Sequence, residues 1–293
     1  MGKIKYKKVD AFTNGNSLGN PAACLFLGEK KLSDEKMLQV GKEHSGFVSE
    51  VVFVNSSDIA DCKLTYFSSE CEVEFCGHGT IATMYEFIRN NPALMEKAEV
   101  KIETNRKGIL SVYNELKKED AVYITSPETK ELELSVSKTE ILSALEIDES
   151  VLDSTLPIDH IEAGLKTLIV PVKKLADEIS IWPDEAKLKD FVLGNGMENI
   201  LIFSMETEDK SSIAHTRVFA PKFGYLEDPA TGSSNSAFAR YMLKNNLWNG
   251  TPASLEQGGD DRVFNKVKIK EMNAAILFGG SATLKIEGDY FIG

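Results

Sequence analysis

An α+β chain of two similar halves, each a curled and mostly antiparallel sheet wrapped on one helix, is the fold class this sequence predicts. Three observations carry it. Two short loops look like copies of each other: Phe75-Cys76-Gly77-His78-Gly79-Thr80-Ile81-Ala82 and Ala230-Thr231-Gly232-Ser233-Ser234-Asn235-Ser236-Ala237. Each follows a strand-like run and opens an apolar stripe at helical spacing: Ile81, Met84, Tyr85 and Ile88 after the first, Phe238, Tyr241 and Met242 after the second. Strand-like runs also greatly outnumber helices, and few are spaced for βαβ crossovers, which argues against a doubly wound sheet.

The elements follow in matching order. A basic, alternating strand opens the chain, and Ser33 caps a helix from Asp34 to His44. A near-continuous apolar strand runs from Phe47 to Val54. Thr65-Tyr66-Phe67-Ser68-Ser69 leads into the first loop, whose helix stops at Asn90-Asn91. A strand from Ala121 to Thr125 gives way at Ser126-Pro127, which divides the chain into domains at residues 1–126 and 127–279. The second half repeats the order. Ser137 and Glu140 form a capping box opening Lys138 to Leu145, and Ile200-Leu201-Ile202-Phe203 matches the earlier apolar strand. Arg217-Val218-Phe219-Ala220-Pro221 leads into the second loop. Aligning Gly77 on Gly232 superposes Asn90-Asn91 on Asn245-Asn246, where the second helix should stop. The tail, from Ala282 to Ile286, alternates as a strand.

Totals narrow the function classes. With 293 residues the chain suits two domains of roughly 130–150 residues each. A formal charge of −12 argues against nucleic acid, whose phosphates demand a basic face. No apolar run approaches transmembrane length and no secretory leader is visible, so no membrane association and a cytoplasmic location are expected. The cysteines Cys24, Cys62, Cys71 and Cys76 show no Cys-x-x-Cys knuckle and no histidine pair at ligand spacing. No metal is expected. No Rossmann Gly-x-Gly-x-x-Gly and no P-loop is present, so no cofactor is expected either.

The paired loops have the grammar of an anion site. Helix N-termini carry unpaired N–H groups and the positive end of the dipole, and small residues there let a carboxylate approach the backbone. The backbone at Gly77 and at Gly232 and Ser233 is therefore expected to hold one small carboxylate-bearing metabolite. Glu50 lies among apolar residues on both strand faces. Either it is a buried carboxyl whose pKa rises toward neutrality, suited to taking and returning a proton, or it is a strand-end glutamate reaching solvent. His78 could donate to a substrate carboxylate or orient a carboxyl base, or could simply bond backbone at the helix start. Asp228 either supports chemistry or braces the turn before the second loop. Cys76 is a thiolate base or a buried structural cysteine, and Asn20 is a turn residue whose amide could reach ligand. His44, His160 and His215 have no companions that suggest chemistry.

At these residues the chain resembles the phenazine-biosynthesis isomerase family (PhzF-like proteins), relatives of diaminopimelate epimerase. The segments are Val9-Asp10-Ala11-Phe12-Thr13, Gly19-Asn20-Pro21-Ala22, Ser49-Glu50 and Cys76-Gly77-His78-Gly79-Thr80. In the second half they are Arg217-Val218-Phe219-Ala220-Pro221, Glu227-Asp228-Pro229-Ala230-Thr231-Gly232-Ser233 and Gly279-Gly280. The resemblance implies two pseudo-symmetric domains, each a β-barrel around a central helix, with the active site between them and residues 280–293 returning to the first. It implies cofactor-independent isomerisation, with Glu50 as acid/base, His78 and Asp228 supporting it, and the backbone at Gly77, His78, Gly232 and Ser233 as the carboxylate cradle. It also implies a homodimer. The chain departs from its relatives at Thr65, where arginine is frequent, at Asn235, where histidine is frequent, and at Asp261-Arg262-Val263-Phe264; these bear on substrate identity. Two other readings compete: a racemase or epimerase with two opposed thiols, for which the second loop lacks a cysteine, and a non-enzymatic protein that binds a small carboxylate.

Overall fold

The computed structural model describes residues 2–259 and 263–292, so Asp261 and Arg262 of the departing stretch lie outside the described residues. The chain forms two compact units. The first comprises residues 1–13, 19–124 and 279–293, and the second residues 14–18 and 125–278.

The first unit contains β1 (Gly2–Ala11), β2 (Asn20–Gly28), β3 (Val51–Asn55), β4 (Cys62–Phe67), β5 (Glu72–Val73), β6 (Glu99–Thr104), β7 (Gly108–Asn114) and β8 (Val122–Thr125). Its helices are α1 (Asp34–Glu43), α2 (Gly77–Arg89), α3 (Pro92–Met95) and α4 (Leu116–Glu119). The pairs β2–β3 and β4–β6 are parallel; β1–β2, β3–β4, β4–β5, β6–β7 and β7–β8 are antiparallel. α2 packs on β1, β2 and β3 and is the central helix of this barrel-like sheet. On the other face α1 sets Met37 and Val40 against Ala23, Leu25, Val51, Phe53 and Phe67. Covered on both faces, β3 is apolar from Val51 to Val54, which is why its sequence reads as a hydrophobic run.

The second unit repeats the plan. Its strands are β9 (Lys130–Leu132), β10 (Asp159–Glu162), β11 (Lys166–Pro171), β12 (Asn199–Ser204), β13 (Ala214–Phe219), β14 (Glu227–Asp228), β15 (Ala253–Gln257), β16 (Asn265–Met272) and β17 (Ala275–Gly280). Its helices are α5 (Lys138–Leu145), α6 (Leu175–Ile179), α7 (Glu185–Gly194) and α8 (Gly232–Lys244). Here β11–β12 and β13–β15 are the parallel pairs, and β10–β11, β12–β13, β13–β14 and β15–β16 are antiparallel. α8 packs on β10, β11, β12 and β16 as the central helix. α5 and α7 cover the outer face through Ile141, Leu145, Leu188 and Val192. The last strand, β18 (Ala282–Ile292), pairs antiparallel with β1.

Local chemistry explains most boundaries. Ser33 accepts from the Lys36 N–H to start α1, and Ser137 with Glu140 makes the capping box that starts α5. α2 and α8 end at Asn90 and Asn245. One boundary differs from expectation. The strand expected from Phe47 begins only at Val51, because Gly46 turns the chain at φ +78° and the N–H groups of Phe47 and Val48 bond the His44 carbonyl. Those N–H groups cannot serve a ladder, and Phe47 is exposed. Asn20 also differs: it is the first residue of β2, opposite Ala11, and not a turn residue. The turn belongs to Gly19, at φ +71°, where an added Cβ would lie 2.7 Å from the Ala11 carbonyl oxygen.

Candidate active site

The first loop builds the start of α2 from small residues for a steric reason. A Cβ on Gly79 would stand 2.9 Å from both Cys76 Sγ and Val52 Cγ2, so the bare backbone is what lets the Cys76 sulfur fold over the helix end. Cys76 is the N-cap, and its sulfur accepts the Gly79 N–H at 3.3 Å. Gly77 and His78 are the first two helical residues, with their N–H groups directed out of the helix start.

Glu50 immediately precedes β3, which runs beside α2. Its Oε2 lies 3.3 Å from His78 Nε2 and 3.7 Å from Cys76 Sγ. The Cys76 sulfur is 3.6 Å from His78 Nδ1 and 3.8 Å from Nε2. The Glu50 side chain is 21% exposed and that of His78 13%, so the carboxyl is partly covered and partnered. Burial holds the His78 imidazole down at about pKa 4, opposed by a ring bond to the Pro21 carbonyl. The ring is therefore neutral near pH ~7 and forms no ion pair with Glu50. Among the described residues, Glu50, Cys76 and His78 also form a group whose ligand atoms all lie within 4.8 Å of one another. Sequence spacing had pointed to no metal-binding cluster, because Glu50 joins the other two only through the packing of β3 on α2.

The second loop has the same backbone and different chemistry. Its N-cap, Thr231, has φ −122° and ψ 111°, against −124° and 111° at Cys76. Thr231 is thus the structural counterpart of Cys76, and its hydroxyl donates to Asp228 Oδ2. Asp228 ends β14 opposite Val218, and Gly232 and Ser233 open α8. Gly232 is compulsory, since a Cβ there would fall 2.1 Å from the Phe278 ring. Behind the loop Gln257 is fully buried. Its Oε1 accepts from the Thr231 N–H at 2.9 Å and from Asn235 Nδ2 at 2.6 Å, while its Nε2 donates to the Asp228 carbonyl at 2.9 Å. Gln257 drew no notice in the sequence; only the parallel pairing of β13 with β15 brings it behind the loop.

Two further groups were passed over. His215, read as structural, stands with Nδ1 3.0 Å from Glu178 Oε1, both side chains fully buried. Burial raises the Glu178 carboxyl well above the usual carboxylate range and lowers His215 to about 4, so burial disfavours charge on both groups. Arg217, also fully buried, holds Glu227 through two hydrogen bonds, at 3.0 and 2.8 Å. The Cys24 and Cys62 thiols are pushed up to about 12 by burial, which leaves them inert. No helix among the described residues is long and apolar enough to cross a membrane.

The architecture is that of the epimerase-like proteins. A hydroxyproline epimerase from Agrobacterium vitis shares it at TM-score 0.61 and 12% identity, over 98% of this chain and 91% of that one. Nearer is a phenazine biosynthesis protein of the PhzF family from Bacillus anthracis, with TM-score 0.87 and 28% identity over the whole of both chains. A relative from Bacillus subtilis (strain 168) named uncharacterized isomerase YfhB is 29% identical over 98% of this chain and 96% of its own length. The family model for phenazine biosynthesis-like proteins, PhzC-PhzF, matches residues 9–288, and the chain belongs to that family.

Proposed function

We propose that this protein is a cofactor-independent isomerase that moves a proton on a small carboxylate substrate. The observation that carries the reading is the Glu50 carboxylate 3.3 Å from a neutral His78 at the start of α2. Glu50 takes a proton from a carbon next to an activating group, and the electrons of the broken C–H bond spread into that group. The same carboxyl then returns the proton to another carbon, so a new C–H bond forms and atoms and charge balance without an outside reagent. His78 and Asp228 support the transfer. Asn20 and the backbone N–H groups of Gly77 and His78, at the positive end of α2, hold the carboxylate and favour the spreading negative charge.

The two-thiol racemase reading fails to find its second thiol. The residue in the geometry of Cys76 is Thr231, whose hydroxyl is already given to Asp228. The test compares two variants in substrate–solvent deuterium exchange over a panel of small carboxylic acids. Glu50→Gln should lose about 10²–10⁴-fold, the usual worth of a general base, while Cys76→Ser stays within about tenfold. The reverse order would sink the carboxylate mechanism. No exchange by the wild type with any acid that it binds would favour the binding-protein reading.

A further inference from the structure

We propose that Glu50, Cys76 and His78 form a three-ligand site for a thiophilic divalent cation of the zinc type, with a fourth coordination position left open. A tetrahedral zinc has bonds of about 2.0–2.1 Å to nitrogen and oxygen and about 2.3 Å to sulfur. Those lengths require ligand–ligand edges of about 3.3 Å between N and O and about 3.5 Å between S and either. The observed edges are 3.3 Å for His78 Nε2 to Glu50 Oε2, 3.7 Å for Cys76 Sγ to Glu50 Oε2 and 3.8 Å for Cys76 Sγ to His78 Nε2. The sulfur is also 3.6 Å from His78 Nδ1, so it stands over the ring, and the imidazole must turn before Nε2 and Sγ can share one ion with Glu50.

The supporting features agree. Cys76 and His78 come from the N-cap and first turn of α2, and Glu50 is the residue before β3. The ring bond to the Pro21 carbonyl is the kind of outer partner that orients metal-binding histidines. A thiolate among the ligands selects zinc, cobalt or cadmium over magnesium and calcium. An ion seated here engages the Glu50 carboxylate. Given the proton-transfer reading proposed above, metal occupancy and turnover would exclude each other, making the ion a reversible inhibitor.

The binding test needs no substrate, so it stands or falls apart from that reading. Cys71 is the exposed thiol, and the titration is made in a Cys71→Ser background to remove it. Cobalt(II) is titrated into this protein and then displaced with zinc. The expected result is one cobalt per chain, with a thiolate-to-cobalt charge-transfer band and the visible bands of tetrahedral cobalt, both abolished by zinc. Cys76→Ser should remove the charge-transfer band. Glu50→Gln and His78→Gln should each weaken binding by more than the about 10–100-fold typical of losing an outer-shell partner, with unfolding midpoints confirming that the variants are folded. Absence of the band in the folded wild type would overturn the site. So would a band indifferent to both Glu50→Gln and His78→Gln, which would reduce it to a single reactive thiol.

Discussion

Asn199 holds in the second unit the place that Glu50 holds in the first. Val51 lies opposite Phe67 in one antiparallel pair, and Ile200 opposite Phe219 in its copy; Glu50 and Asn199 are the residues just before. The neighbours explain the difference. Asn199 Nδ2 donates at 2.9 Å to the hydroxyl of Ser234, whose counterpart in the first loop is Gly79. With no side chain on Gly79, Glu50 faces Cys76 and His78 instead. One copy of the strand thus carries an acid and the other a buried amide tie.

That difference predicts that Asn199→Ala is a stability variant. The Ser234 hydroxyl, fully buried, would lose its donor, and urea unfolding should show a loss of about 1–3 kcal/mol. Deuterium exchange in any substrate turned over by the wild type should change little. Loss of exchange in a folded Asn199→Ala protein would show that the second strand shares in the chemistry.

Acid should weaken the fold through its buried histidines. His78 and His215 are held at about 4 when folded, against about 6.5 in an unfolded chain. As pH falls from about 6.5 toward 4, the unfolded chain takes up these protons first, and each residue costs up to about 3 kcal/mol of stability. Glu178 acts in the opposite direction: its raised folded value keeps it protonated while the unfolded carboxyl ionises, which lowers stability as pH rises above about 4.5. Imidazole NMR shifts should report both histidines neutral at pH ~6. Glu178→Gln should raise stability at pH ~8 relative to pH ~5. Ordinary titration of both rings near 6.5 would contradict the burial argument.

Lys7 and Glu86 form a buried ion pair that ties β1 to the central helix. The Nζ–Oε2 distance is 2.7 Å and each side chain is 5% exposed. Glu86→Ala leaves the buried ammonium with the longer 3.9 Å contact to Glu287 and should cost up to about 3–5 kcal/mol in urea unfolding. Lys7→Met combined with Glu86→Leu should recover most of that loss, since burial of two charges nearly cancels their attraction. A double variant no better than the single one would show that the pair is a net stabiliser.

The two loop glycines should not tolerate alanine equally. At Gly232 the added methyl meets the buried Phe278 ring at 2.1 Å, a rigid neighbour. At Gly79 it meets the tips of Cys76 and Val52 at 2.9 Å, and those side chains can shift a little. Gly232→Ala should exceed the about 1–3 kcal/mol usual for overpacking, with Gly79→Ala near its lower end. Equal unfolding midpoints would contradict this ranking.

The fold class was legible because its signals are local and repeated. The caps at Ser33 and Ser137, the helix stops at Asn90 and Asn245 and the two small-residue helix starts all lie within a turn of what they control. Phe47 shows the limit: hydrophobicity placed it in a strand, yet Gly46 and two N–H bonds to His44 decide the matter in three dimensions. The grouping of Glu50 with Cys76 and His78, and of Gln257 with Asp228 and Thr231, depends on which strands lie side by side. Sequence spacing carries no trace of that. The His215–Glu178 contact was hidden for the same reason, the two residues coming from β13 and α6.

The pairing of β18 with β1 has a consequence for synthesis. Residue Gly2 lies opposite Ile292, so β1 is partnered by a strand that is synthesised only after the whole of the second unit. At about 5–20 residues per second, the chain up to β8 waits roughly 10–30 s before residues 282–292 emerge. Throughout that interval β1 has only β2 beside it and offers an open edge to other nascent chains. The second unit, whose strands are complete by then, can fold while the older unit is still unfinished. Vectorial translation should thus invert the usual order, with the half made first being the last to mature and the one most dependent on chaperones.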